Sequence, residues 1–231
     1  MNIVIIHGTP FRGVTHHMTN RFVDHLKGNH EITEYYPKDM PHFCLGCKNC
    51  FMKGEETCPH FSFVQPIWSS ILAADLIVFA YPVYALRAPA AIKSLLDHLA
   101  VHWMVHRPHP TMFEKTAIII TNSVGASNAS AQKDVKTSLT WLGVSKIHSC
   151  GARMMGDIFM DRMSEKHQAM LDRKMAGLAR RVINIEPRKR KSLGVTLRFA
   201  FCKLQHKMVL KTEETPSLDN QYYLDKGWIK R

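Results

Sequence analysis

Two stretches of this chain are almost wholly apolar. One runs Leu76, Ile77, Val78, Phe79 and Ala80 between Asp75 and Tyr81; the other runs Ala117, Ile118, Ile119 and Ile120 between Thr116 and Thr121. Neither alternates polar with apolar residues, so both are expected to be strands covered on both faces, as in a parallel sheet flanked by helices. Residues 2–7, 31–36 and 145–151 are further strand candidates. Between the strands lie helical patterns over 15–27, 62–73, 89–104, 129–142 and 163–183; Ile92, Leu95, Leu96 and Leu99 recur at helical spacing, and Leu139, Trp141 and Leu142 do so more weakly. Alternating strands and helices predict a doubly wound α/β sheet with right-handed crossovers. The 231 residues, 45% of them hydrophobic, suffice for one full core over 1–186, followed by an extension over 187–231.

Ligands in such sheets sit beyond the carboxyl ends of the strands, which singles out loops 8–14, 82–88 and 122–128. In the first, Ile3–His7 runs into Gly8, Thr9, Pro10, Phe11, Arg12, Gly13, Val14 and Thr15, where a helix begins. Free amides and the positive end of the helix dipole there suit a phosphate monoester. A plain turn with Thr15 as N-cap is the simpler alternative. The loop lacks the Gly-Lys-Ser/Thr of a nucleoside-triphosphate loop and the G-x-G-x-x-G of a dinucleotide fold. The second loop offers Pro82, Val83, Tyr84 and Ala85 as a flat shelf, with Pro89 opening the next helix; the third, Asn122, Ser123 and Gly125 among them, is small and donor-rich. Together the three describe a pocket for the isoalloxazine and phosphate of FMN, with Thr9, Arg12, Val14 and Thr15 at the phosphate.

These residues resemble the flavodoxin-fold NAD(P)H-dependent FMN reductases, in the branch that includes iron–sulfur flavoproteins. The family's first loop, Gly-Ser-Pro-Arg followed after two residues by Gly-Asn-Thr, is similar to Gly8–Thr15, here one residue shorter and with Val14 in place of Asn. Pro82, Val83 and Tyr84, then Lys93, Ser94, Leu95, Leu96 and Asp97, are similar to its second loop and helix; His106–Pro108, Met112–Lys115 and Gly227–Ile229 are similar to one branch. The resemblance implies strand order 2-1-3-4-5, bound FMN, NAD(P)H as co-substrate and a homodimer or higher homo-oligomer. The activity it implies is an FMN-dependent oxidoreductase passing electrons to a quinone, a flavin or another small acceptor. The alternative is an iron–sulfur flavoprotein carrying electrons between redox proteins. The flavin carries the chemistry, so no catalytic side chain is expected.

Cys44, Cys47, Cys50 and Cys58 fall as C-x2-C-x2-C-x7-C, with Pro59 after the last. Three thiols in one x2 ladder favour a [4Fe-4S] cluster over zinc, which prefers two separated pairs. The iron–sulfur flavoproteins use this same ladder, whereas many members of the wider family carry FMN alone, so cluster, zinc and an empty site all stay open. Cys150 and Cys202 stand apart. His98, His102 and His106 recur every four residues, either as a metal ladder or as helix-end histidines, and Arg107 is a candidate for a flavin or nicotinamide-cofactor phosphate.

The formal charge is +12, and residues 187–231 hold eleven Lys/Arg against four Asp/Glu. The basic run Arg188–Lys191 precedes Leu193, Val195, Leu197, Phe199, Phe201 and Leu204, with no acidic residue from 188 to 211. This extension is expected to be a solvated arm against a partner subunit or a surface for an anionic membrane; 193–201 also alternates like a strand. Nothing here resembles a base-reading motif. With neither a long apolar run nor a leader pattern, the chain is expected in the cytoplasm.

Overall fold

A computed structural model describes residues 1–154, 163–182 and 191–231. Five parallel strands, β1 (Asn2–His7), β2 (Glu31–Tyr35), β3 (Leu76–Pro82), β4 (Thr116–Val124) and β5 (Lys146–Met154), form one sheet in the order 2-1-3-4-5. The register pairs Ile3 with Leu76, Ile77 with Ala117 and Ala117 with Ile147. This is the flavodoxin-like topology, and the apolar runs explain its centre. Along β1, β3 and β4, alternate residues enter two separate cores. Val4, Ile6, Ile77, Phe79 and Ile119 pack under α3 (Phe61–Ala73), α4 (Ala90–His98) and α5 (Ala129–Trp141). Ile3, Ile5, Val78, Ile118 and Ile120 pack under α1 (Val14–Asp24) and α6 (Glu165–Arg180). The edge strand β2 is mostly exposed, which is why its sequence is mixed.

Three elements depart from the sequence expectation. The helix expected over 89–104 stops at His98 and tightens into a 3-10 turn over Leu99–His102. A four-residue helix, α2 (Asn49–Met52), lies inside the cysteine segment. The stretch 193–201 is no strand but the start of α7 (Leu193–Leu210), because Val195, Phe199, Cys202, His206 and Leu210 recur at helical spacing and are all buried. With α8 (Leu218–Asp225), whose N-cap Ser217 accepts the Asn220 amide, α7 closes a third core over Met104 and Phe113. The basic segment therefore packs against its own chain along one face. Arg188, Lys189 and Arg190 lie outside the described residues. Among the described residues no helix is long and apolar enough to cross a membrane.

Candidate functional site

The carboxyl ends of β1, β3 and β4 meet at an open cleft of about 530 Å³, lined by residues of all three predicted loops. Gly8 makes the first approach possible. Its amide donates to the Ala80 carbonyl at 2.9 Å, and a Cβ there would lie 2.5 Å from Cβ of Tyr81, so the chain leaves β1 against β3 only as glycine. Thr9 Oγ1 accepts from the Phe11 amide at 3.2 Å and from the Tyr84 hydroxyl at 3.3 Å, joining the first loop to the second. The Val83 amide donates to the Asn122 carbonyl at 2.8 Å, joining the second to the third. Thr15 Oγ1 donates to Asn122 Oδ1 and joins the third back to the first.

Thr15 is therefore not the cap of α1. Gly13 is, and no side chain caps the helix. The first amides of a helix have no partner within it, and the first turn of α1 holds no carboxylate to compete with an anion. The second loop turns back tightly: the Tyr84 and Arg87 amides and carbonyls exchange hydrogen bonds, with Ala85 at φ +47° and Leu86 at φ +64°. Two non-glycine residues in the left-handed region are costly, and the turn is held by the Arg87–Asp134 pair and by the Ala88 amide on Asp134 Oδ2 at 3.1 Å. Phe11, Tyr84 and Val124 stand exposed around the rim. An uncapped helix start beside an exposed aromatic and apolar rim is the chemistry of a phosphate joined to a flat ring, and these residues fit FMN.

Of the residues expected from sequence, Thr9, Val14, Thr15, Pro82, Val83, Tyr84, Asn122 and Ser123 line this cleft. Arg12 is exposed between Phe11 and Gly13, Ala85 sits at the tip of the turn, and Gly125 gives its amide to Met154 of β5 at 2.9 Å. Phe11, Gly13 and Val124 also line the cleft. The glycine directly before the helical pattern was the available signal for Gly13; nothing in the sequence sets Val124 apart from its strand.

The four cysteines line a second, largely apolar cavity, with Val64, Trp68 and Val101 among its walls. Cys44 and Cys47 are exposed, Cys50 and Cys58 half-buried. Burial pushes the Cys50 thiol up, and Cys58, Cys44 and Cys47 push the same way. Among the described residues no three His, Cys, Asp or Glu side chains are arranged to hold a metal, although all four thiols line the one pocket.

The three histidines spaced four residues apart each have a separate partner. His98 Nδ1 must donate to the Ser94 carbonyl at 2.8 Å, leaving Nε2 to accept from His60 Nδ1 at 2.9 Å. His102 stacks on Trp68 with ring centroids 4.1 Å apart, and burial lowers its pKa to about 4. His106 meets Asp219 at 2.7 Å. Arg107 belongs to no phosphate site: only 7% exposed, it binds Asp219, the Cys50 carbonyl and, at 3.1 Å, Glu55 Oε1.

Comparison with known proteins agrees with this fold. Residues 1–153 match the NADPH-dependent FMN reductase family. The chain belongs to that family. Over 166 residues, 62% of this chain and 83% of the relative, it is 24% identical to FMN-dependent NADH:quinone oxidoreductase 2 of Pseudomonas putida. Over 99 residues, 42% of this chain, it is 27% identical to an iron-sulfur flavoprotein of Methanocaldococcus jannaschii; the chain spans only 50% of that relative's length. Among solved structures, the FMN-dependent NADH-azoreductase of Bacillus anthracis in complex with FMN shares the fold, with a TM-score of 0.60 and 13% identity over 80% of this chain and 100% of that one.

Proposed function

We propose that this protein is an FMN-dependent oxidoreductase that takes hydride from NAD(P)H and passes electrons to a quinone, a flavin or another small acceptor. The observation that carries the reading is the cleft in which the uncapped start of α1 faces the exposed rim of Phe11, Tyr84 and Val124. In this reading the Thr9 hydroxyl and the first-turn amides of Val14 and Thr15 hold the phosphate, with Arg12 adding charge from the surface. Pro82, Val83, Tyr84 and Ala85 border one side of the ring, and Asn122, Ser123 and Gly125 the other. When bound, FMN supplies the hydride acceptance and the onward release of electrons. The chain's own work is positional. Thr15 orients the Asn122 amide, Tyr84 is tethered through Thr9, and the Asp134–Arg87 pair holds the strained turn in place. Purified protein is expected to be yellow, to lose that colour on NADPH addition without oxygen, and to regain it with a benzoquinone. A colourless protein that takes up no FMN in calorimetric titration overturns the proposal.

A second reading rests on the shared cavity of Cys44, Cys47, Cys50 and Cys58. In it these four thiols ligate an iron–sulfur cluster and the protein relays electrons to a redox partner. Anaerobic purification is then expected to give brown protein with about four iron atoms per chain, lost in Cys47→Ser. Iron-free protein from iron-replete cells rules this reading out and leaves the flavin reading standing.

A further inference from the structure

Helix α7 is apolar on two opposite faces, and among the described residues only one of them is covered. At about 100° per residue, Val195, Phe199, Cys202, His206 and Leu210 point into the third core, while Leu193, Leu197, Phe201, Leu204 and Met208 fall on a stripe centred about 180° away. These five residues are between 54% and 74% exposed. They form an unbroken apolar stripe about 22 Å long at the helical rise per residue. Lys207 flanks it on one side and Lys211 stands at its end, while Arg198 and Lys203 lie further round the helix over the rings of Trp141 and Phe199. Lys207 and Lys211, with Lys230 and Arg231, line an open hollow beside it. From Lys191 to Thr212 there is no acidic residue.

We propose that this face of α7 is a docking surface for an anionic lipid bilayer. The stripe would enter the headgroup–acyl boundary with the helix lying flat, and the flanking cations would meet lipid phosphates. Charge selects this occupant. A second copy seated on the same stripe would bring the cations of one helix, Lys207 and Lys211 foremost, near those of the other, with no carboxylate on the helix to answer them. A nucleic acid would use the cations and leave the stripe in water.

The test uses the full chain and large unilamellar vesicles of phosphatidylcholine alone or with phosphatidylglycerol. The protein is expected to sediment with the anionic vesicles at least about tenfold better than with the neutral ones, less so in high salt. Lys207→Gln with Lys211→Gln should weaken binding and flatten its salt dependence. Leu197→Gln with Phe201→Gln should abolish binding while leaving far-ultraviolet circular dichroism and melting temperature unchanged, since both side chains face solvent. Failure of the wild type to bind anionic vesicles overturns the proposal. So does undiminished binding of the Leu197→Gln, Phe201→Gln variant, which would reduce the effect to charge alone. A wild-type dimer that this variant converts to monomers would assign the stripe to a second copy instead.

Discussion

Thr15 shows how one hydroxyl can serve a loop cluster rather than its own helix. A threonine at a helix start is ordinarily a cap, but Gly13 takes that position and Thr15 instead bonds Asn122, across 107 residues of sequence. Its removal costs the site in two ways: the Asn122 amide loses its orientation, and its buried carbonyl oxygen loses a donor. Thr15→Val is therefore expected to weaken FMN binding by about tenfold, and Thr15→Ser to retain most of it. Titration calorimetry on flavin-free protein reads both; equal affinities for wild type and Thr15→Val would make the hydroxyl irrelevant to the ligand. Gly8 acts at the same scale through what it lacks, since a methyl group there would strike Tyr81 Cβ and Ile92.

Between elements, one guanidinium holds the cysteine segment. Arg107 follows the 3-10 turn and reaches Glu55, the carbonyl of Cys50 and Asp219 of α8, so three parts of the chain close on one buried cation. Arginine suits the position because its planar fork serves several acceptors in fixed directions. Arg107→Met would leave Glu55 and Asp219 without the guanidinium that bridges them and is expected to cost about 3–5 kcal/mol. Limited proteolysis should then cut between residues 44 and 58 well before the rest of the chain; wild-type resistance of that segment would show that its packing on Trp68 and Val101 suffices.

The protein as a whole carries a histidine-based acid limit. Burial holds His7, His102, His109 and His148 below the ordinary histidine pKa, and for His102 the value falls to about 4. A group whose folded pKa lies below its unfolded one is protonated first in the unfolded chain. Acid therefore favours unfolding: stability is full above about pH 6.5 and declines as pH falls toward 4. The neighbouring Glu55 carboxylate opposes the shift at His102 without reversing it. The melting temperature is expected to drop by several degrees between pH 7.5 and pH 5.5. A flat or rising profile over that range would mean these imidazoles are not held neutral.

The sequence by itself determined the layered architecture. Runs such as Leu76–Ala80 and Ala117–Ile120 have no polar face and must be covered on both sides, here by two layers of helices. With the strands fixed, the three loops at their ends followed, and most of the cleft residues with them. The tertiary structure alone decided the rest, because it depends on partners distant in sequence. Arg107 reads as a candidate for a cofactor phosphate until Glu55 and Asp219 arrive from either side. The cysteine ladder fixes the spacing of four thiols but not how they face one another, which depends on the fold of 41–60 over Trp68. The alternation in 193–201 satisfies strand and helix equally, and only the third core, by calling for Val195, Phe199 and Cys202 on one side, chose the helix and turned Leu197 and Phe201 outward.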